Sequence, residues 1–254
     1  MAYDGTSSEG TTADREQLDF RERLATMFRE SPLPPEQLMF NLGLYTRSSL
    51  LVKFLFLHDV YQRIRMVPGV LIELGVWWGQ NLVLLENLRA IHEPFNKQRV
   101  ILGFDTFSGY RTFSDEDVVG DVMADGTYST PAGYREYLER LLEVHEGANA
   151  FGHRRGGHRL IEGDACETVP RYFDEHPETL VAMAFFDVGT YKPTMAALEA
   201  MKSALVPGSV LVFDQLTWPG APGEAIAFKQ VFRDIDYTIE KSALYPSKSI
   251  VTLR

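Results

Sequence analysis

Five short apolar runs, each ending in an aspartate or a glycine, constrain the fold of this chain more than any other feature. Helical patterns lie between them, and near-continuous apolar strands alternating with helices predict a parallel sheet covered on both faces. Ligands of such sheets bind beyond the carboxyl ends of the strands, where these terminal residues lie. The runs are Val70–Gly75, Val100–Asp105, Leu160–Asp164, Leu180–Asp187 and Ser209–Asp214, and the helical patterns are Asn81–Ile91, Tyr134–His145, Ala165–Phe173, Thr194–Leu205 and Glu224–Phe232.

The C-terminal tail departs from this alternation. Asp236–Ala243 and Ser247–Leu253 have the pattern of two strands, and the connection Leu244–Pro246 is too short for a parallel crossover. We therefore expect the last strand to be antiparallel. The sequence predicts an α/β, Rossmann-like fold with a mainly parallel seven-stranded sheet and an antiparallel C-terminal hairpin.

The residues before the sheet divide into two predicted segments. Residues 1–18 are rich in Gly, Ser, Thr and acids, which favours a disordered leader. Residues 19–66 predict a helical extension, and residues 67–254 the ligand-binding domain. Within the extension, residues 36–65 are apolar on more than one face, so the core, a neighbouring subunit or a ligand beneath a lid must cover them. Assembly into a homo-oligomer through these helices is one expectation.

Charge and composition limit the classes of partner. The 254-residue chain has a formal net charge of −10, which argues against nucleic acid or an anionic membrane as the main partner. Its single cysteine, Cys166, allows no internal disulfide. The longest apolar cluster, Leu50–Leu57, is interrupted by Lys53 and falls well short of the roughly 20 residues of a membrane span. These features predict a cytoplasmic protein that acts on a small molecule.

The turn from the first predicted strand into the first helix carries a candidate ligand motif, Glu73–Asn81 (ELGVWWGQN). Gly75 permits a tight turn, and Gly79 opens the helix. Trp77 and Trp78 fill the space in which the glycines of a dinucleotide motif would admit a pyrophosphate. A ligand with an amino-acid end and no phosphate fits better, with Glu73 available to its ammonium. The alternative is a turn that needs glycine for geometry only.

Two further acids end the second and third strands. Asp105 can accept hydrogen bonds from ribose hydroxyls, and Asp164 can meet an adenine amino group, although Asp164 can equally cap the helix that follows it. Three acids at consecutive strand ends favour a nucleoside-containing cofactor. The predicted cofactor contacts are Glu73, Leu74, Gly75, Val76, Trp77, Gly79, Gln80, Asn81, Asp105, Thr106, Phe107, Ser108, Gly163, Asp164, Ala165 and Asp187.

Four motifs resemble the macrocin O-methyltransferase family over about Leu38 to Arg254. They are Val70–Gly79 (VLIELGVWWG), Gly103–Gly109 (GFDTFSG), Phe186–Tyr191 (FDVGTY) and Phe213–Gln215 (FDQ). The resemblance implies a class I fold that binds S-adenosylmethionine and methylates sugar hydroxyls of natural products. It also implies that Glu73, Gly75, Asp105 and Asp164 contact this cofactor.

Methyl transfer to a hydroxyl needs alignment of the reactants and removal of the acceptor proton. Asp187 and Asp214 follow the fourth and fifth strands, so both can reach one cleft as catalytic residues. Together with Gln215 they offer an all-oxygen ligand set suited to Mg²⁺. The resembling family has D-G-D and D-D at these places, and this chain lacks one acid at each. The alternative is therefore an acid or a histidine that acts alone as the base.

The acceptor is expected to contact aromatic side chains near this edge, namely Tyr110, Tyr191 and Trp218. The long acidic connection 106–133 predicts a lid or a solvated excursion, and the basic stretch 152–159 a diphosphate contact or surface decoration. Two other functions stay open: a nicotinamide-dependent oxidoreductase of similar architecture, and a non-catalytic protein that binds S-adenosylmethionine or serves in assembly.

Overall fold

The computed structural model describes residues 13–120, 123–149 and 157–254 of the chain. Most of the predicted leader, residues 1–12, therefore lies outside the described residues. The first helix begins at Arg15, inside the segment assigned to the leader, because Asp14 and Gln17 form a capping box. The Gln17 N–H donates to Asp14 Oδ1 over 2.8 Å, and the Asp14 N–H donates to Gln17 Oε1 over 3.1 Å.

The described chain alternates helices and strands from Val70 onward. The helices are α1 Arg15–Arg29, α2 Pro35–Phe40, α3 Ser48–Ile64, α4 Gln80–His92, α5 Tyr134–Asn149, α6 Ala165–Glu175, α7 Tyr191–Met201 and α8 Pro222–Val231. The strands are β1 Val70–Leu74, β2 Ile101–Asp105, β3 His158–Glu162, β4 Val181–Phe186, β5 Leu205–Phe213, β6 Tyr237–Lys241 and β7 Ser249–Leu253. Short 3₁₀ turns cover Leu42–Tyr45 and Lys202–Ala204.

The strands form one seven-stranded sheet in the order β3-β2-β1-β4-β5-β7-β6. The first five strands are parallel, and β7 pairs antiparallel with both β5 and β6. This confirms the predicted Rossmann-like class I methyltransferase fold, including its antiparallel C-terminal hairpin. The carboxyl ends of β1 to β5 consequently share one edge, which the start of β7 joins from the opposite direction.

Two apolar layers cover the sheet. One layer packs α3, α4 and α5 against one face, through residues such as Tyr61, Leu82 and Leu138. The other packs α6, α7 and α8 against the opposite face, through residues such as Val169 and Phe228. Burial on both faces explains why the central strands are continuously apolar, since every side chain of β4 is buried.

The N-terminal extension differs from its prediction in one respect. The helix expected over residues 36–65 is interrupted, because extended backbone at Thr46 and Arg47 separates the 3₁₀ turn from α3. The second half of α3 is buried in the core, whereas α1, α2 and the 3₁₀ turn contain no buried residue. Phe40 is 89% exposed and Met39 73%, so the core does not cover this apolar segment.

None of the helices in the described ranges combines the length and the apolar character that crossing a bilayer requires.

Candidate functional site

A cavity of about 480 Å³ lies at the carboxyl edge of the parallel strands. Residues from both halves of the predicted site line it together, as expected where strand ends meet in a doubly wound sheet. The predicted residues that line it are Gly75, Trp77, Asp105, Thr106, Tyr110, Gly163, Asp164, Ala165, Asp187, Asp214, Gln215 and Trp218.

The turn after β1 requires glycine. Gly75 has φ +85°, and a Cβ there would lie 2.2 Å from the carbonyl oxygen of Asp187. Trp77, two residues on, also has a positive φ of 50°. Its backbone N–H donates to Asp105 Oδ2 over 2.7 Å, which ties the turn to the end of β2. Both Gly75 and Trp77 of this turn line the cavity.

Glu73 is buried next to this turn. Asn81 Nδ2, in the first turn of α4, donates to Glu73 Oε1 over 2.7 Å. Glu73 Oε2 is buried and has no hydrogen-bond partner among the described residues. Burial raises the pKa of Glu73 to about 8, and the charge of Lys53 opposes this shift. A buried carboxylate oxygen without a donor is suited to a ligand ammonium group.

Asp105 is anchored by backbone donors on both oxygens. Besides the Trp77 N–H, the Phe107 N–H donates to Asp105 Oδ1 over 2.6 Å. Burial raises the pKa of Asp105, and the backbone hydrogen bonds oppose the shift. Each carboxylate oxygen can accept more than one hydrogen bond, so both oxygens of Asp105 retain acceptor capacity. This geometry suits a pair of neighbouring hydroxyls, as on a ribose.

Asp164 is the N-cap of α6, which is the role that the sequence allows for it besides a contact with an adenine amino group. Its Oδ1 accepts the Cys166 N–H over 2.8 Å, and its Oδ2 accepts the hydroxyl of Thr112. Burial would raise the pKa of Asp164, but these hydrogen bonds outweigh it and lower the pKa. The residue still lines the cavity beside Gly163 and Ala165, so capping and a ligand contact are compatible.

At the other end of the cavity, Gln215 bridges the two predicted catalytic aspartates. Its Nε2 lies 3.3 Å from Asp187 Oδ1 and 2.7 Å from Asp214 Oδ2. Its backbone N–H donates to Glu224 Oε2 over 2.8 Å. Glu224 on α8 is fully buried, which raises its pKa well above the usual value.

Lys248 completes this cluster from the C-terminal hairpin. Phe213 pairs with Ser249 in the antiparallel ladder, so the next positions, Asp214 and Lys248, face each other. The Lys248 ammonium contacts the Asp214 carboxylate and lies 4.6 Å from the centre of the Tyr245 ring. Burial lowers the pKa of Lys248 to about 8. The ammonium and the Gln215 amide thus contact the oxygens that the sequence predicts as metal ligands.

The three predicted acceptor residues lie in different places. Tyr110 and Trp218 line the cavity, and burial followed by the charge of Asp187 raises the pKa of Tyr110. Tyr191 is not among the lining residues, because it starts α7 and its hydroxyl donates to Gln230 over 2.8 Å. Its backbone N–H donates to Asp117 Oδ1 over 2.8 Å, which fastens the long connection to α7.

Two regions singled out from the sequence are only partly described. Residues 121 and 122 of the long connection and residues 150–156, which include most of the basic stretch, lie outside the described residues. His158, at the end of that stretch, lies in β3 with its Nδ1 3.1 Å from Glu86 Oε1. Both side chains are buried, so His158 is no surface decoration.

Several residues that are predicted to contact the cofactor do not line the cavity. Glu73 and Asn81 form the buried pair described above, and Gln80 is exposed. Leu74, Val76, Gly79, Phe107 and Ser108 shape the turns without lining the cavity. Other lining residues, among them Lys53, Met123, Thr190 and Tyr245, are not among the site residues predicted from the sequence. Lys248 is not among them either, although the predicted antiparallel hairpin places this residue one step from the end of β5.

Comparison with known proteins agrees with this geometry. The family model of macrocin-O-methyltransferase (TylF) matches residues 55–241. A crystal structure of CalS11, a calicheamicin methyltransferase, is 37% identical with a TM-score of 0.89, and the match covers 95% of this chain and 94% of that one. Apo CalS11, described as a TDP-rhamnose 3'-O-methyltransferase of calicheamicin biosynthesis, is 35% identical with a TM-score of 0.83, covering 95% and 96%.

A more distant structure shares the fold only. The O-methyltransferase NovP is 16% identical with a TM-score of 0.53, and the match covers 80% of this chain and 79% of that one. The search of curated protein sequences found no match.

Proposed function

Because this chain belongs to the macrocin O-methyltransferase family, we propose that it methylates a hydroxyl of a deoxysugar, carried on a nucleotide or on a natural product. The observation that carries the proposal is that Asp105, Asp164, Asp187 and Asp214 all line the same cavity. The residues suited to bind a nucleoside and the residues suited to accept a proton therefore lie in one cavity, in what we call its cofactor half and its acceptor half. The name of CalS11 supports a nucleotide-linked rhamnose as the first acceptor to test. The comparisons give no support to the oxidoreductase alternative.

The cofactor half fits S-adenosylmethionine, which supplies a methyl group on a sulfonium when bound. Glu73 Oε2 is buried behind the lining of the cavity without a hydrogen-bond partner among the described residues, so it offers a negative charge toward the ammonium of the amino-acid end. Asp105, held by two backbone donors, accepts from the ribose hydroxyls. Gly75 and Asp164 line the same cavity, and Asp164 is the acid available to the adenine amino group.

The acceptor half fits the removal of a hydroxyl proton. As the acceptor oxygen bonds to the methyl carbon and the carbon–sulfur bond breaks, the hydroxyl proton must leave. Asp187 is half-buried and lines the cavity, and among the described residues its carboxylate accepts only a long 3.3 Å hydrogen bond from Gln215 on Oδ1, so it is placed to take this proton. Asp214 is held more tightly, by Gln215 and Lys248. Tyr110 and Trp218 provide apolar walls for the sugar.

Calorimetric titration of S-adenosylhomocysteine tests the cofactor assignment. We expect micromolar binding to the wild type, a loss of about 30-fold or more in Asp105→Ala, and no change in Asp125→Ala, an exposed aspartate of the long connection. An acceptor screen with nucleotide-linked deoxysugars and glycosides follows. Absence of cofactor binding would overturn the methyltransferase assignment, whereas binding without any methylated sugar would overturn the acceptor class.

The N-terminal extension supports a homo-oligomer. α1 has 15 residues and none of them is buried, and a helix of this length is marginal in water without tertiary packing. Phe20, Met27, Phe40 and Leu44 are all exposed on this extension. The occupant that we propose for this surface is a second copy of the chain. Sedimentation should give a multiple of the monomer mass that Phe40→Glu reduces, and a monomeric wild type would exclude the assembly.

A further inference from the structure

Tyr110 contributes a hydroxyl as well as an aromatic ring to the acceptor half of the cavity. We propose that the Tyr110 hydroxyl and the side-chain oxygen of Gln215 together bind a second hydroxyl of the sugar, next to the hydroxyl that is methylated. The site therefore selects sugars with two neighbouring free hydroxyls. This inference deepens the proposed function and rests on it, because it concerns the acceptor of the same reaction.

Gly189, two residues after Asp187, locates the two oxygens. A Cβ on Gly189 would lie 3.4 Å from the Tyr110 hydroxyl oxygen and 3.6 Å from Gln215 Oε1. Both oxygens therefore border one point beyond the ends of β4 and β5, and the side chains that carry them line the main cavity. A larger residue would place its side chain at this point, so glycine keeps the two oxygens accessible to one ligand group.

Neither oxygen is hydrogen-bonded within the described ranges. Gln215 Oε1 is buried without a partner, and the Tyr110 hydroxyl forms no hydrogen bond there. The amide orientation follows from its other end, since Gln215 Nε2 lies 2.7 Å from Asp214 Oδ2 and 3.3 Å from Asp187 Oδ1. The reverse orientation would place Oε1 against two carboxylates. Buried amide oxygens and tyrosine hydroxyls usually have partners, so this pair indicates a polar group of the ligand.

A hydroxyl is the ligand group that matches both oxygens. Burial, together with the charge of Asp187, raises the pKa of Tyr110, so its phenol stays protonated and donates a hydrogen bond. Gln215 Oε1 can only accept one. A sugar hydroxyl accepts from the first group and donates to the second, whereas a carboxylate or an ether oxygen cannot donate.

The second hydroxyl lies next to the reacting one because Gln215 adjoins both sites. Its Nε2 contacts Asp187, the proposed base, while Oε1 of the same amide lies beside Gly189. The two hydroxyls that these groups bind are therefore neighbours on the sugar ring. The pair itself uses no carboxylate, so it is compatible with a divalent ion held by Asp187, Asp214 and water.

The second arm of the long connection fixes the position of Tyr110. The Tyr110 N–H donates to the Thr127 carbonyl over 3.1 Å, and the Tyr110 carbonyl accepts the Gly126 N–H over 2.8 Å. The Tyr110 ring packs edge-on against Tyr128, with ring centres 5.7 Å apart. A hydroxyl fixed in this way is left without a partner when a sugar lacks the second hydroxyl, and such a loss discriminates strongly between acceptors.

Removing either partner of the contact tests the proposal. Tyr110→Phe keeps the ring and removes only the hydroxyl. With an acceptor found in the screen, we expect this change to lower kcat/KM about 30-fold, with affinity for S-adenosylhomocysteine unchanged. With the analogue that lacks the second hydroxyl, the wild type should lose a similar factor, and Tyr110→Phe should differ from the wild type by less than about threefold. The control is Tyr137→Phe, at an exposed tyrosine of α5, which should match the wild type with both acceptors.

Product analysis first identifies the methylated hydroxyl, and analogues that lack the hydroxyl on either side of it are then compared in buffer containing Mg²⁺. One of the two analogues should show the expected pattern. Calorimetric titration of the acceptor into protein saturated with S-adenosylhomocysteine repeats the comparison without turnover. Equal effects of Tyr110→Phe on the acceptor and on both analogues would overturn the inference and leave the proposed function in place. Failure of every acceptor in the screen would overturn the proposed function, and the inference with it.

Discussion

The two halves of the cavity are built in different ways. The cofactor half, at the ends of β1, β2 and β3, depends largely on main chain: two backbone N–H groups donate to Asp105, and the Cys166 N–H donates to Asp164, which also accepts the Thr112 hydroxyl. The acceptor half, at the ends of β4 and β5, depends on side chains from distant parts of the sequence. Lys248 and Gln215 hold Asp214, and Lys53 approaches from the N-terminal extension.

This difference has a chemical consequence. Backbone donors keep their chemistry whatever the side chains are, so the cofactor half keeps its shape as long as its turns do. The acceptor half is defined by a few charged side chains, and a single substitution there changes its net charge. We therefore expect changes in the cofactor half to affect binding, and changes in the acceptor half to affect turnover.

The largest expected effect comes from breaking the turn of the cofactor half. Gly75→Ala places a Cβ 2.2 Å from the Asp187 carbonyl oxygen at a φ of +85°, so the backbone must move. We expect affinity for S-adenosylhomocysteine to fall by about 100-fold or more in calorimetry, with a lower free energy of unfolding. The control is Gly147→Ala in α5, where a Cβ meets nothing within 4 Å. That change should stabilise the protein slightly, by about 0.5–1 kcal/mol.

A substitution in the acceptor half should lower the rate of turnover and leave cofactor affinity unchanged. Asp214→Asn keeps the side-chain shape but removes the charge that Lys248 contacts. We expect kcat to fall about 100-fold in single-turnover assays with the sugar acceptor, while affinity for S-adenosylhomocysteine stays within about twofold of the wild type. An equal loss of cofactor affinity would show that the two halves are not separable, and would remove the basis of the comparison.

The difference between the two halves of the cavity also explains which site residues the sequence predicts. The strand ends, the glycine turn and the acids Asp105, Asp187 and Asp214 could be found because each lies within a contiguous motif and the topology brings strand ends together. The antiparallel hairpin followed from the length of one connection. These signals are local in sequence, and the topology and register of the sheet confirm the fold that they predict.

The residues that were missed depend on long-range register or packing. Lys248 is an ordinary lysine in sequence, and only the pairing of Phe213 with Ser249 places it on Asp214. Lys53 interrupts an apolar helix, which gave no indication that it lines the cavity. Tyr191 was assigned to the acceptor because it follows β4, but the start of α7 turns its hydroxyl to Gln230. Chain position therefore located the strand ends but not the directions of the side chains.

A smaller effect should appear in the pH dependence of cofactor binding. The pKa of Glu73 is raised to about 8 by burial, so the free protein holds a proton there at lower pH. A ligand ammonium requires the carboxylate, and binding should therefore release this proton. We expect affinity for S-adenosylhomocysteine to rise about 50-fold between about pH 6 and 8, and Glu73→Gln to show weaker binding without this rise. Calorimetry in buffers of different ionisation enthalpy measures the proton directly, and a pH-independent wild type would contradict the assignment.

The smallest effect concerns the connection that borders the acceptor half. Asp117 Oδ1 accepts the Tyr191 N–H over 2.8 Å, while its Oδ2 accepts the Ser114 N–H and hydroxyl over 2.9 and 3.0 Å. Asp117→Ala removes all three hydrogen bonds and loosens the connection on α7. We expect the KM for the sugar acceptor to rise about fivefold, with cofactor affinity unchanged.

The neighbouring Asp115→Ala is a matched control, because Asp115 is exposed and lies in the same connection. It should leave KM and kcat at wild-type values. A fall in cofactor affinity in Asp117→Ala would mean that the connection supports both halves, since Thr112 of the same segment donates to Asp164 at the cofactor end. An unchanged KM would mean instead that the hydrogen bonds of Asp117 contribute to folding but not to the acceptor site.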